Sequence, residues 1–273
     1  MSLVESLYRR RTGILADACG RRGVIQVDRP LNGRFVISHQ PRCSRNLSKG
    51  CRMSSIDLDR ITHPLRLAKG SHQPGSGKGC AMNLVSYMNG DTMITDFPAC
   101  SARPLARMVQ GINDMLAGPD GFLSPEDSVL VIDMGYRTMG TADVARDVVW
   151  RWLSDLLVDP EHGVIRLARR EQTVEAIQRV SALCLRRAAN EPVSPADWRQ
   201  ARKDAQEARN AAYADAYAAA AADADAYAAA ARKRARIDFT NWAIDHWREL
   251  AGLDQQNENP TNAINNALAQ ING

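Results

Sequence analysis

No run of apolar residues in this chain approaches the ~20 that a membrane-spanning helix needs. The opening MSLVESLYRRR has neither an apolar signal core nor a small-residue cleavage site. The expectation is therefore a cytoplasmic protein with no membrane partner. Aromatic residues are few, 5% of the total, so packing falls largely to Ala, Leu, Val, Ile and Met. The six cysteines (Cys19, Cys43, Cys51, Cys80, Cys100 and Cys184) include no C-x-x-C pair. They are also too thinly spread for the stapled scaffold of a small secreted domain, and reduced thiols are expected. Helix breakers are missing from one long stretch: no Gly or Pro lies between Pro195 and Gly252. What is present is 273 residues, 45% of them hydrophobic, enough for one sizeable core or two small ones.

The net charge of +4 is unevenly placed. Residues 1–80 hold 15 Arg/Lys against 5 Asp/Glu, residues 81–160 hold 5 against 11, and residues 161–273 hold 15 of each. A basic head before an acidic middle fits an external polyanion such as nucleic acid, two parts that neutralise each other within one fold, or plain solvated loops.

Strand signals occur in one place. GVIQVDRPLNGRFVIS carries two β-branched runs around Asn32-Gly33, which predicts a hairpin over 23–28 and 34–38. Before it, Ser2 and Glu5 form a capping box for a first helix ending at Gly20. After it, residues 39–54 read as a basic loop, and Ser55 as the cap of a short helix running to about Thr62. Residues 68–79 (AKGSHQPGSGKG) read as a mobile Gly-rich loop. From Cys80 onward helices dominate. CAMNLVSYMNG places Cys80, Leu84, Val85 and Met88 on one stripe and stops at Gly90. A second helix starts near Arg103-Pro104 and stops at Gly118. Ser124-Pro125-Glu126-Asp127 is a cap, a first-turn proline and an acidic third position, so the apolar SVLVIDM that follows reads as helix rather than strand. Thr141 reads as the cap of ADVARDVVWRWLSDLLVD, and GVIRLARREQTVEAIQRVSALCLRRAA reads as one long amphipathic stretch. Ser194-Pro195-Ala196-Asp197 repeats the start signal. A continuous helix over the 57 residues 195–251 would reach roughly 85 Å, and Thr240-Asn241 is the expected place for a break. The Asn/Gln-rich tail, 253–273, reads as loop with a short helix from Asn262.

Residues 211–231 contain 15 Ala, 3 Asp and 3 Tyr. Alanine loses no side-chain entropy in a helix, so this run is helical. At about 100° per residue, Tyr217 and Tyr227 fall roughly 40° to either side of Tyr213, while Asp215, Asp223 and Asp225 take the opposite side. Phe239, Trp242, His246 and Leu250 continue in a drifting band on the tyrosine side. A tyrosine stripe on a methyl surface needs cover. The helix at 163–189 of the same chain, another protein chain including a second copy, or solvent are the three readings.

Three motifs that suggest chemistry are incomplete. Gly77-Lys78 matches part of a phosphate-binding loop, but position 72 is His, position 79 is Gly, no strand precedes it, and the magnesium-binding hydroxyl is missing. His39, His63, His72, Cys43, Cys51 and Cys80 are zinc-ligand types at the wrong spacing. The carboxylates Asp91, Asp96, Asp114, Asp120, Glu126, Asp127 and Asp133 sit where caps and turns use Asp. No motif selects a catalytic residue, a metal site or a cofactor. Basic clusters at Arg42, Arg45, Lys49 and Arg52, at Lys78, and at Arg232, Lys233 and Arg234 are candidates for nucleic acid. The last three would also suit a helix C-terminus.

Two segments resemble uncharacterised proteins of actinobacteria and their phages. One is GCAMNLVSYMNGDTMITDFPACSARPLARMVQGINDML, residues 79–116, through Gly79, Cys80, Met82, Gly90, Thr95, Asp96, Pro98, Cys100, Pro104, Asn113 and Asp114. The other is the AYADAYAAAA repeat with its Trp-bearing end, similar to Ala/Tyr/Asp-rich helices of phage accessory proteins. Together they span under a third of the chain. The resemblance implies a phage or prophage origin and the cytoplasm of a bacterial host, and carries no activity.

The expected architecture is mainly α: a basic N-terminal region with one hairpin (1–67), the loop (68–79), a helical body (80–190), a long Ala-rich helix or helix pair (194–252) and a tail (253–273). The leading functional expectation is a non-enzymatic binding protein acting by protein contact or self-association through Tyr213, Tyr217, Tyr227 and Trp242. A nucleic-acid binder is the alternative, and a zinc-binding or hydrolytic enzyme the third.

Overall fold

The computed structural model describes residues 60–220, 226–253 and 260–272; for 212–220 and 226–228 it describes the backbone. The expected hairpin and first helix, and Arg42, Arg45, Lys49 and Arg52, lie outside the described residues. Those residues form a mainly helical structure. In chain order the helices are α1 (Ala81–Asn89), α2 (Arg103–Leu116), α3 (Pro125–Arg137), α4 (Arg146–Val158), α5 (Glu171–Ala188), α6 (Pro195–Ala220), α7 (Ala226–Leu250) and α8 (Thr261–Asn272). Extended pairing among the described residues is limited to two isolated bridges, Ala68 with Phe122 and Ser101 with Met139.

Local chemistry sets most of the starts. Ser124 and Ser194 each accept a hydrogen bond from the backbone N–H three residues on, at 3.1 Å, and a proline fills the first helical position. Cys80 caps α1: its sulfur accepts from the Asn83 N–H at 3.4 Å, and the Asn83 carbonyl accepts from the Cys80 N–H at 3.1 Å. The helix stops at Gly90, whose φ of 72° is the left-handed conformation that glycine adopts without strain.

Packing follows from which faces are apolar. Helix α1 is surrounded by α2, α3 and α8; α7 lies across α2, α3 and α4; α4 packs on α5, and α5 on α6. Near the centre Trp152 of α4 and Trp247 of α7 meet edge to face at 4.9 Å, and the Trp152 indole N–H donates to the Ala243 carbonyl at 2.8 Å. Met82, Leu84, Val85, Leu105, Ile132, Ile244 and Ile264 are fully buried around them, each stabilising by about 1.5–3 kcal/mol.

Several expectations are corrected. Helix α4 starts at Arg146, not beside Thr141. The Thr141 hydroxyl is engaged elsewhere, accepting from the Ala102 N–H at 2.9 Å and donating to the Thr138 carbonyl. The stretch from Gly163 is broken: a short 3₁₀ turn, Val164–Leu167, precedes α5. Thr240 and Asn241 lie inside α7. Tertiary contacts outweigh their weak helix propensity, since Thr240 is buried and Asn241 accepts from Arg137. The helix expected up to about Thr62 does not include Ile61 and Thr62, where the backbone instead pairs with α8 and the Thr62 N–H donates to Asn265 at 2.9 Å. The short helix expected from Asn262 is present as α8, and it buries Ile264, Ala267, Leu268 and Ile271 against the core.

Candidate binding surface

The Ala-rich segment straddles the end of α6 and the start of α7, so the cover of those two helices is the first question. The first half of α6 packs on α5, the neighbour within the chain expected for it. Ala201, Ala205 and Ala208 are buried, and Ala205 and Ala208 face Ala176, Ile177 and Val180 across a space of about 10 Å³. That is room for one water at most, and the apolar lining keeps such a space dry. Trp198, one turn into α6, stacks on Trp150 of α4 at 5.8 Å with Arg187 beside it, fastening the start of α6. Past Ala208, Arg209 and Ala211 are half-buried and Asn210 is exposed, as are Ala229, Ala230, Ala231 and Arg232 in the first turns of α7. Tyr213, Tyr217 and Tyr227 fall between these exposed residues, and their side chains lie outside the described residues.

Trp242 is placed differently from the tyrosines with which its sequence position groups it. It packs against the core, with His162 stacked on it at 4.8 Å, His246 at 5.3 Å and Phe239 at 5.7 Å. Its ring is occupied by its own chain. His246 is itself held by Asp155 at 2.8 Å. That dyad resembles a base with its orienter, but among the described residues no hydroxyl or thiol is hydrogen-bonded to His246. Below it, Asp159 accepts from the backbone of Glu161 and His162. Burial pushes the Asp159 carboxyl up, but those hydrogen bonds and the His162 ring outweigh it and hold the group below its ordinary value.

The cationic candidates separate into two groups. Arg232, Lys233 and Arg234 lie within α7, not at a helix C-terminus. Lys233 reaches Asp127 of α3 at 3.6 Å, and Arg234 reaches Asp238, one turn on in α7, at 3.1 Å in an exposed pair, so two of the three already have a carboxylate partner in the chain. Lys78 is exposed, with its ammonium 5.5 Å from the Phe122 ring centre. Arg66, which sequence reasoning did not single out, lies over the same ring at 3.8 Å.

The residues of the G-C-x-M…D-x-P-x-C…N-D segment are joined to one another. The Asp96 carboxylate accepts from the Asn83 amide at 3.0 Å, from the Cys80 thiol at 3.5 Å and from Ser71. It thus stands beside the N-terminus of α1, whose Cys80, Ala81 and Asn83 N–H groups are taken by Asn83, Asn113 and Cys80, so an external phosphate would meet a carboxylate and occupied donors there. Asn113 is fully buried, accepts from the Ala81 N–H at 3.2 Å and donates to the Ala68 carbonyl at 3.0 Å. Asp114 accepts from the Gly70 N–H at 2.9 Å. Gly79 lies against Ile271, where a Cβ would come within 2.8 Å. The segment is an interlock joining α1, α2 and the loop. Burial, with Asp96 adding to it, pushes the Cys80 thiol up to about 12, which leaves it protonated and a poor nucleophile or metal ligand at neutral pH. Burial also raises Cys184 to about 11 and, less strongly, Cys100. No cluster of metal-ligating side chains occurs among the described residues. Asp91, Asp120, Asp127 and Asp133 likewise each bond within the fold. Among the described residues no helix is long and apolar enough to cross a membrane.

Comparison with known proteins gives no match to a family model, a curated protein or a solved structure.

Proposed function

We propose that this chain is a non-enzymatic binding protein, a phage accessory protein that self-associates or binds another protein through the Ala/Tyr segment between α6 and α7. The observation that carries the reading is the one-sided arrangement of that segment. Tyr213 and Tyr217, four residues apart in α6, share a stripe. By the 100° sequence periodicity Tyr227 belongs to the same side, and Asp215 and Asp225 to the other. The reading is supported by the exposed alanines at 229–231, which follow the tyrosine segment in the chain with their methyl groups facing solvent. Alanine lets helix axes approach to the short end of the ~8–10 Å range, and each phenol supplies apolar area with a polar tip. The phage origin rests on the resemblance of residues 79–116 and of the repeat.

The test is mass measurement by light scattering over a range of concentrations, for the native chain and for Y213A/Y217A/Y227A. Alanine preserves helix propensity, so the variant keeps its helical signal. The expected result is an associated native chain, or one that captures a partner from host cells, with the variant losing that association. A native chain that stays monomeric and retains no partner would overturn the proposal.

A further inference from the structure

Outside that segment, one surface combines a run of chain free of acidic residues with an ordered framework. None of the 31 residues from Arg60 to Gly90 is acidic, and none of the 12 residues of α8 is charged. In a chain with 31 Asp and Glu this is a marked depletion, and the structure places the two segments side by side. The Asn265 amide bonds the Arg60 carbonyl at 2.7 Å, the Thr62 N–H donates to Asn265, and Asn272 reaches the Pro64 carbonyl at 3.5 Å. Residues 60–64 thus run the length of α8. The chain then turns at Leu67–Lys69, where the Ala68 N–H bonds the Gly79 carbonyl at 2.9 Å and the Lys69 N–H bonds the Gly121 carbonyl at 2.8 Å. The first of these bonds closes the Gly-rich loop, with Lys69 and Lys78 next to its two ends.

The carboxylates that reach this face come from elsewhere and are mostly engaged. Asp96 is bound by Ser71, Cys80 and Asn83, and Asp114 by Gly70. Asp120 pairs with Arg66 at 3.1 Å, and the Phe122 N–H together with that guanidinium holds its carboxyl below the ordinary value. Arg60, Lys69 and Lys78 are exposed and have no carboxylate partner among the described residues. Arg66 and Lys78 both approach Phe122, so two like charges are gathered on one ring. Within the loop, Gly70, Gly75 and Gly77 adopt positive φ and have open space where a side chain would be. A ligand can therefore approach the backbone closely there.

We infer that this face, Arg60–Lys78 with the exposed amides of α8, binds nucleic acid through its phosphates. The inference stands apart from the tyrosine segment and does not use it. Arg60, Lys69 and Lys78, which lack a carboxylate partner among the described residues, supply the phosphate contacts, with Arg66 a fourth where phosphate displaces Asp120. Ser76, Asn262, Asn266 and Gln270, all exposed, supply the hydroxyl and amide groups that position a sugar–phosphate chain. A lipid surface fits less well. Among the described residues the exposed large hydrophobic ones, Met93 and Leu185, lie outside the face, so it offers little to insert. The track from Arg60 to Lys69 is at most about 35 Å long. Three to four phosphate contacts on a single strand predict a salt slope of about −2 to −3, a roughly 20- to 50-fold loss of affinity between 50 and 200 mM salt.

The experiment is fluorescence anisotropy of the full chain with a labelled 20-nucleotide oligo-dT, a labelled 20-base-pair duplex and phosphatidylserine vesicles. The variants are K69E/K78E and, with the same charge change on α6, R199E/K203E. Circular dichroism checks the fold, and K69Q/K78Q replaces the first variant if it is unfolded. The expected result is salt-dependent binding of oligo-dT or duplex, weakened ~10-fold or more by K69E/K78E and changed little by R199E/K203E; the two nucleic-acid arms show which form is preferred. The inference is overturned by a native chain that binds neither oligonucleotide at 50 mM salt, by preference for vesicles, by full binding in the loop variant, or by equal loss in both variants. Association measured by light scattering bears only on the tyrosine segment.

Discussion

The nine-residue helix α1 and the 26-residue helix α6 are held by opposite means. Nine residues fall short of the ~12–15 at which an isolated helix becomes even marginal in water. Helix α1 exists because six of its residues are buried, its cap is a thiol locked by Asn83 and Asp96, and Asn113 anchors its first N–H. Helix α6 carries the best helix formers in the sequence and, where its side chains are described, buries mainly alanines. The first is a product of tertiary packing and the second of local propensity. Loss of one packing contact therefore disturbs α1 as a whole, while α6 responds locally.

Substitutions test that contrast in order of expected effect. Asn113→Ala leaves the Ala81 N–H and the Ala68 carbonyl buried without partners, at about 1–3 kcal/mol each. Denaturant unfolding should show a loss of roughly 2–5 kcal/mol, and hydrogen exchange a loss of protection in α1 with that of α6 kept. Equal loss in both helices would abolish the distinction. Ala205→Leu forces a larger side chain into the close contact between α5 and α6 and should cost about 1–3 kcal/mol. Ala211→Gly, at an uncrowded position, should cost about 1 kcal/mol through backbone entropy alone, visible as faster exchange near the end of α6.

The acid response is smaller. The Ser194 N–H and hydroxyl hold Asp197 below its ordinary value of 3.8, and Asp159 is held low as described. A folded-state value below the unfolded one gives stabilisation that is complete above the unfolded value and is lost as pH falls through the folded one. The melting temperature should therefore be level between about pH 8 and 5 and fall below about pH 4, with a smaller fall in D197N; an unchanged slope in D197N would remove Asp197 from the account. The smallest effect concerns the thiols. At pH 8, Cys80 and Cys184 should react with iodoacetamide more slowly than Cys100, read by peptide mass. Rapid labelling of Cys80 would show that the cap of α1 opens readily.

Much of the helical order was legible because caps and breakers act over a few residues. Ser124-Pro125, Ser194-Pro195, Gly90 and the Arg103-Pro104 start all stand where the sequence places them. Thr141 misled because a hydroxyl that can cap a helix can equally bridge two others, and only the neighbouring chain decides. Thr240-Asn241 misled because propensity was weighed without the Arg137 side chain that binds Asn241. Of the binding candidates, Lys78 was legible as an exposed cation. The pairing of Lys233 with Asp127 was not, since 106 residues separate them in the chain. Trp242 looked like a continuation of the tyrosine stripe, yet His162, a loop residue before α5, stacks on it. Arg60, Arg66 and Lys69 were passed over because a phosphate-loop pattern was sought where the relevant feature is an absence of acid across two segments distant in sequence.

By itself the sequence determined that the described chain is helical, where most helices begin, and that the alanine run has one tyrosine side, because propensity, capping and periodicity are properties of neighbouring residues. Tertiary structure alone decided which contacts hold the nine-residue α1 in place, that the Asn-rich tail completes the core, and which cations are left without a carboxylate. Those outcomes depend on which groups lose water together, and residues far apart in sequence settle that only once they are packed.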